Sequence, residues 1–185
     1  MPALIYSSIT SLDGYIDDID GTFDWAEPDP EVHAFINDLQ RPVRTFLFGR
    51  RTYDVMTAWE TLDAGDSPEM ADFAAEWHDT DKVVFSRTLD HVSTARTELR
   101  REFDPIEVAE LVRTSDHDVL IGGPGIAAEA LRAGLVDEIQ QFVCPMIVGG
   151  GTRFLPDDLR MPLQLLEHHR FAASGVVYLR YRTVR

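Results

Sequence analysis

The sequence predicts an α/β protein: one mixed, mostly parallel sheet with helices on both faces and an antiparallel hairpin at its C-terminal end. Three observations carry this. Apolar runs of strand length recur along the chain, helical patterns with clear start signals separate the early ones, and a short turn joins the last two. Strands alternating with helices imply a parallel sheet covered on both faces. No repeat or Gly/Ser linker divides the 185 residues, so residues 1–185 read as a single domain, long enough to bury a core.

Taken in order, the first strand runs from Ala3 to Ile9. Asp29-Pro30 then supplies a helix cap and a proline for the first helical position, and Val32, Phe35, Ile36 and Leu39 follow at helical spacing. Thr45 to Phe48 is a short buried strand, and Arg51 to Met56 opens a helix. Ser67-Pro68 starts the next helix, with Met70, Phe73, Ala74 and Trp77 on one face; Lys82 to Ser86 is the strand after it. Asp104-Pro105 opens another helix, Asp118 to Ile121 another strand, and a helix from near Gly125 closes at Gly134. Ile139 to Val148 reads as a strand. Gln164 to Phe171 and Val176 to Tyr181 form a hairpin about Ala172 to Gly175.

Composition removes several classes of function. A net charge of −15 argues against a general nucleic-acid surface, which needs a basic face. No apolar run reaches 18 residues, so no membrane span is expected, and no signal-peptide pattern is visible. The single cysteine, Cys144, fits a reducing compartment, and the chain reads as cytoplasmic. No metal site is expected: His168 and His169 are adjacent on a strand and point to opposite faces. The zinc deaminase signature is absent, as are the Walker A and G-x-S-x-G patterns.

Ligands of open α/β sheets bind beyond the carboxyl ends of strands, and three such ends carry suggestive residues. Gly49-Arg50-Arg51-Thr52 joins a glycine, a helix start and a guanidinium fork. Ser86-Arg87-Thr88 offers two hydroxyls and a guanidinium to a phosphate monoester, although ordinary turns favour the same hydroxyl residues. Gly122-Gly123-Pro124-Gly125 leaves the backbone bare at a strand-to-helix junction, where a pyrophosphate is stabilised. Together they favour a phosphate-bearing nucleotide; Arg50 and Arg87 argue against a dehydrogenase that prefers NADH.

The segments "SLDGYI", "GRRTYDVM", "KVVFSRT", "VLIGGPGIAAEAL" and "GLVDEIQQFVCPMIVGGGTRF", followed by the closing hairpin, span nearly the whole chain. In order and spacing they resemble the dihydrofolate reductase-like superfamily, most specifically the reductase domain of the bacterial bifunctional deaminase-reductase of riboflavin synthesis and its stand-alone relatives. The resemblance implies NADPH as cofactor. It puts Gly49, Arg50 and Thr52 at the pyrophosphate and 2′-phosphate region, and Ser86 and Arg87 beside the adenosine 2′-phosphate. Gly122, Gly123, Gly125 and Ile126 would cover the pyrophosphate and nicotinamide side. It also implies a cis peptide at Gly122–Gly123, with Arg51 facing solvent.

For the acceptor, the resemblance implies a carboxylate on the first helix. Glu31 fills that role, with Phe35 four residues on as an aromatic wall and Trp25 as the pocket tryptophan; an acid in a first helical turn also stabilises the helix without chemistry. Asp13 of the S-x-D-G pattern would lie near nicotinamide and substrate, or simply make a turn. Arg153 would meet a substrate phosphate. The implied activity is NADPH-dependent reduction of a small heterocycle, either a pterin or folate-like ring or a phosphoribosylamino-uracil, by a homodimer. The alternative is a non-catalytic NADP(H) or pterin binder on the same fold.

Overall fold

The computed structural model describes residues 1–184. Eight strands form one sheet in the order β4-β3-β2-β5-β1-β6-β8-β7. They are β1 (Leu4–Thr10), β2 (Val43–Gly49), β3 (Asp81–Phe85), β4 (Thr97–Arg100), β5 (Asp118–Gly122), β6 (Glu138–Val143), β7 (Leu163–Arg170) and β8 (Val177–Thr183). The pairs from β4 through β6 are parallel, and β6, β8 and β7 pair antiparallel. This is the mixed sheet with a closing hairpin that the sequence predicts.

Five helices cover it: α1 (Pro30–Gln40), α2 (Arg50–Met56), α3 (Pro68–Asp79), α4 (Pro105–Thr114) and α5 (Pro124–Arg132). Asp29, Ser67 and Asp104 cap α1, α3 and α4 by accepting from Val32, Met70 and Ile106 N–H, and a proline follows each cap.

Strand alternation sorts the core. Leu47 of β2, Val83 of β3 and Ile121 of β5 pack on one face against α4 and α5. Phe46, Phe48 and Val84 pack on the other against Trp77 of α3 and Tyr53 of α2. Farther along that second face, Val32 of α1 covers Phe142 and Tyr178.

Two elements differ from expectation. Residues 97–100 (T-E-L-R) form an edge strand that the sequence does not announce, because three of the four side chains are polar and the strand pairs on one side only. The strand expected from Ile139 to Val148 stops at Val143. Pro145 has no N–H to continue a ladder, and the Met146 carbonyl turns away to accept from Leu12 N–H at 2.7 Å.

Lys82, the one lysine, is 1% exposed at the amino end of β3. Its ammonium donates to the carbonyls of Trp77 and Thr80 at 2.6 and 2.9 Å and lies 4.4 Å from the centre of the Trp77 ring. Burial holds its pKa below the ordinary lysine value.

Candidate functional site

Register brings the three glycine- and arginine-bearing ends together. Gly49 sits opposite Phe85, and Phe48 opposite Gly122, so the ends of β3, β2 and β5 lie side by side. The neighbouring β1 runs past them. Its ladder with β5 stops at Tyr6 opposite Ile121, whereas its ladder with β6 continues to Thr10 opposite Val143. Beyond Tyr6, β1 therefore has no strand neighbour on its β5 side, and a crevice opens there at the carboxyl ends.

A cleft of about 590 Å³ occupies this crevice, a volume within the usual range for small-molecule sites. Gly49, Arg50, Thr52, Gly123, Gly125 and Ile126 line it, Gly122 lines an adjoining chamber, and Ser86 and Arg87 line neither. The glycines are dictated by close approach. A Cβ on Gly123 would stand 2.4 Å from Thr52 Oγ1, and one on Gly122 would stand 2.8 Å from the Phe48 ring. The expected cis bond is corrected: the described chain holds no cis peptide, and Gly123 reverses the backbone through a φ of +96° instead. Gly125 is different, since a Cβ there meets nothing within 4 Å. Pro124 begins α5, and the N–H groups of Gly125 and Ile126 lack carbonyls one turn behind them.

The arginines divide by what they hold. Arg50 donates to Thr88 Oγ1 at 2.7 Å and lies 3.5 Å from the Asp54 carboxylate, tying β2's end to β3's. Arg51 is exposed, lines the cleft, and makes no hydrogen bond or ion pair among the described residues. Arg87, exposed just past β3, is equally uncommitted. The Ser86 hydroxyl is spent on its turn, accepting from Thr88 and Leu89 N–H at 3.3 and 3.0 Å.

The loop after β1 is zipped to residues 146–154. Asp13 accepts from Val148 N–H at 3.2 Å and Gly149 N–H at 2.8 Å. The Ser11 hydroxyl and these amides hold its carboxyl below the usual range. Asp17 accepts from Thr152 N–H and hydroxyl, and Ile16 N–H donates to the Thr152 carbonyl at 2.9 Å. Gly151 is obligatory there: its φ is +129°, and a Cβ would fall 2.0 Å from the Asp17 carbonyl. Asp17, Thr152 and Phe23 thus line the cleft without having been singled out from sequence. Asp17 stands in the acid-rich run Asp17-Asp18-Ile19-Asp20, where spacing cannot distinguish it from Asp18, which closes its own turn with Asp20 and Thr22.

Four residues expected around the acceptor lie elsewhere. Glu31 is exposed in the first turn of α1 and lines neither the cleft nor the two chambers described here. Phe35 packs in an aromatic cluster, 5.0 Å from Tyr178 and 5.3 Å from Phe171 between ring centres, because its face of α1 meets the sheet. Arg153 pairs with Asp157 at 3.0 Å and lies over the Tyr15 ring. Trp25 lines a separate chamber of about 220 Å³ with Asp29 and the buried Cys144 thiol, whose pKa burial raises.

The chamber that Gly122 lines holds about 190 Å³. It shares Ile16, Thr52, Gly123 and Pro124 with the larger cleft, so the two adjoin. Ser7 and Ser8 reach it from the stretch of β1 beyond the β5 ladder.

The three-layer α/β sheet, split at a glycine-lined cleft, shares the dihydrofolate reductase-like fold. Residues 2–178 match the model of the RibD C-terminal domain, and the chain belongs to that family. It is 27% identical over 182 residues to the uncharacterised protein YyaP of Bacillus subtilis, covering 96% of this chain and 93% of that one. Among solved structures, a putative riboflavin biosynthesis protein from Shewanella sp. PV-4 superposes with a TM-score of 0.76 at 22% identity over 99% of both chains. Acinetobacter baumannii RibD gives 0.70 at 18% identity, covering all of this chain and 58% of that one. Enterococcus faecalis dihydrofolate reductase, complexed with NADP(H), gives 0.67 at 15% identity, covering 99% and 97%. No helix among the described residues is long and apolar enough to cross a membrane.

Proposed function

We propose that this chain is an NADPH-dependent reductase of a small heterocyclic acceptor. The observation that carries the reading is a glycine-lined cleft with the uncommitted Arg51 on its wall and a second chamber adjoining it, while the uncommitted Arg87 stands outside it, just past the end of the neighbouring β3. The residues fit the cofactor: open backbone at Gly125, in the first turn of α5, admits a pyrophosphate, and two free guanidinium groups suit anionic oxygens. Arg87 would hold the adenosine 2′-phosphate, with Thr88 positioned by Arg50 and the Ser86 hydroxyl shaping the turn. Gly49, Thr52, Gly122, Gly123, Gly125 and Ile126 would line the pyrophosphate and nicotinamide side. Bound there, NADPH supplies a hydride.

The chain's own part is positioning and exclusion of water. Asp13 and Asp17 clasp the 146–154 loop against the cleft and so act as positioning residues. Glu31, exposed outside the chambers, is assigned no step. The reading also takes the protein as cytoplasmic, on its one buried cysteine, and as a homodimer.

Titration with NADPH and NADH, followed by quenching of tryptophan fluorescence, tests the reading. NADPH is expected to bind at least tenfold more tightly, a gap of about 1.4 kcal/mol, and Arg87→Ala to remove that preference. Equal affinities in the wild-type protein would overturn it. Tight NADPH binding with no consumption across a panel of heterocyclic acceptors would favour the non-catalytic binder.

A further inference from the structure

We propose that Arg101 is a positioning residue for the cofactor: from the end of β4 it fixes the turn that carries Arg87, and so sets the preference for a 2′-phosphorylated nucleotide. This rests on the reductase reading and adds a residue to it.

The turn follows β3 and is tied from three sides. Within it, the buried Ser86 hydroxyl accepts from Thr88 and Leu89 N–H. From the end of β2, Arg50 donates to the Thr88 hydroxyl. The third tie comes from β4. Arg100 lies opposite Phe85, and Ser86 N–H donates to the Arg100 carbonyl at 2.9 Å, so Arg101 emerges beside the turn. One guanidinium nitrogen of Arg101 donates to the Ser86 carbonyl at 3.3 Å and to the Leu89 carbonyl at 2.5 Å. Those carbonyls belong to the first and last residues of the turn, so Arg101 spans it. The Leu89 side chain packs on the cluster that holds Phe46 and Phe48. Ser86, Thr88 and Leu89 are therefore all anchored, and the Arg87 side chain alone is left to reach a ligand from a fixed backbone.

Charge separates Arg101 from its neighbour. Arg100 pairs with Glu98 at 2.8 Å and Glu107 at 3.9 Å. Arg101 makes no ion pair among the described residues, in a chain with 32 acidic ones. Bonded to two neutral carbonyls, it keeps its full charge beside Arg87. It also occupies two oxygens whose partial negative charge would oppose an anion held there. Donation to two carbonyls is within reach of an ammonium as well, since Lys82 does it with Trp77 and Thr80.

Fluorescence titration with NADPH and NADH tests this in Arg101→Met, which keeps an unbranched stem and removes every donor. NADPH is expected to bind about tenfold more weakly, with NADH affinity within about twofold and an unchanged melting temperature. Arg101→Lys is expected to restore the preference for NADPH. Added to Arg87→Ala, Arg101→Met should cost no further NADPH affinity, because it acts through Arg87. A loss that persists in the Arg87→Ala background would put Arg101 on the phosphate itself and overturn the positioning role. Equal weakening of both nucleotides would overturn it too, by making the tie merely structural. If the wild-type protein shows no preference for NADPH, the reductase reading falls. A wild-type preference that Arg101→Met leaves intact removes only the role assigned to Arg101.

Discussion

The carboxylate of Asp17 accepts two hydrogen bonds from Thr152, from the backbone N–H at 2.6 Å and from the hydroxyl at 3.0 Å, across 135 residues of sequence. Both residues line the cleft, so the pair fixes one wall of it. Asp17→Ala leaves a partly buried N–H and hydroxyl without their acceptor. The expected loss is about 1–3 kcal/mol of stability, read from denaturant unfolding. NADPH affinity should fall with it, and wild-type stability in the variant would show that the clasp is idle.

Two glycines two residues apart should respond oppositely to the same methyl group. Gly123→Ala forces a Cβ onto Thr52 Oγ1 at a positive φ, and the expected cost is about 2 kcal/mol or more. Gly125→Ala meets open space in the first turn of α5, where alanine is expected to stabilise by about 0.5 kcal/mol. If a pyrophosphate approaches the backbone at Gly125, that stabilised variant should nonetheless bind NADPH more weakly. Melting curves and the fluorescence titration, run side by side, separate the two effects.

Glu76 on α3 gives the fold a pH dependence. Burial, reinforced by Asp72, pushes its pKa up to about 7, against 4.5 for a free side chain, despite Arg41 at 3.6 Å. Between those values the unfolded chain has released the proton that the folded chain still holds, so stability falls as pH rises from about 4.5 to 7. At about 1.36 kcal/mol per unit, discounted for solvent screening, the loss is roughly 2 kcal/mol. Glu76→Gln is expected to recover most of it at pH 8 and little at pH 4.5, as measured by guanidinium unfolding at both. A variant no more stable at pH 8 would show that Arg41 fully offsets the burial.

Strand β7 is the sheet's last strand, with Leu163 and Leu165 exposed at 39% and 48%. An exposed edge of this kind is a template for pairing with another chain. If a homodimer forms there, Leu165→Arg should shift the mass measured by light scattering from two chains to one without altering the melting profile of the monomer. An unchanged dimer mass would send the interface elsewhere.

Much of the fold was legible because its signals are local. The caps Asp29, Ser67 and Asp104, each followed by proline, mark helix starts through backbone chemistry that needs no tertiary partner. The glycines at 49, 122, 123 and 125 could be read for the same reason. What escaped depends on partners distant in sequence. Asp17 gains its place from Thr152, and β4 exists because Lys82 to Phe85 offers it a free edge. Phe35 shows the opposite error. Its spacing from Glu31 is helical as expected, but the face they were assumed to share with a ligand packs on Tyr178 and Phe171. Periodicity tells that a helix has an apolar face and is silent on what the face meets.

Lys82 makes the molecule its own reporter of opening. Its side-chain amine is held by two carbonyls under an indole and is closed to solvent, so an amine-directed reagent reaches it only when β3 parts from α3. The extent of labelling at this one position, followed over time, is a clock for the excursions of β3 from the helix that covers it.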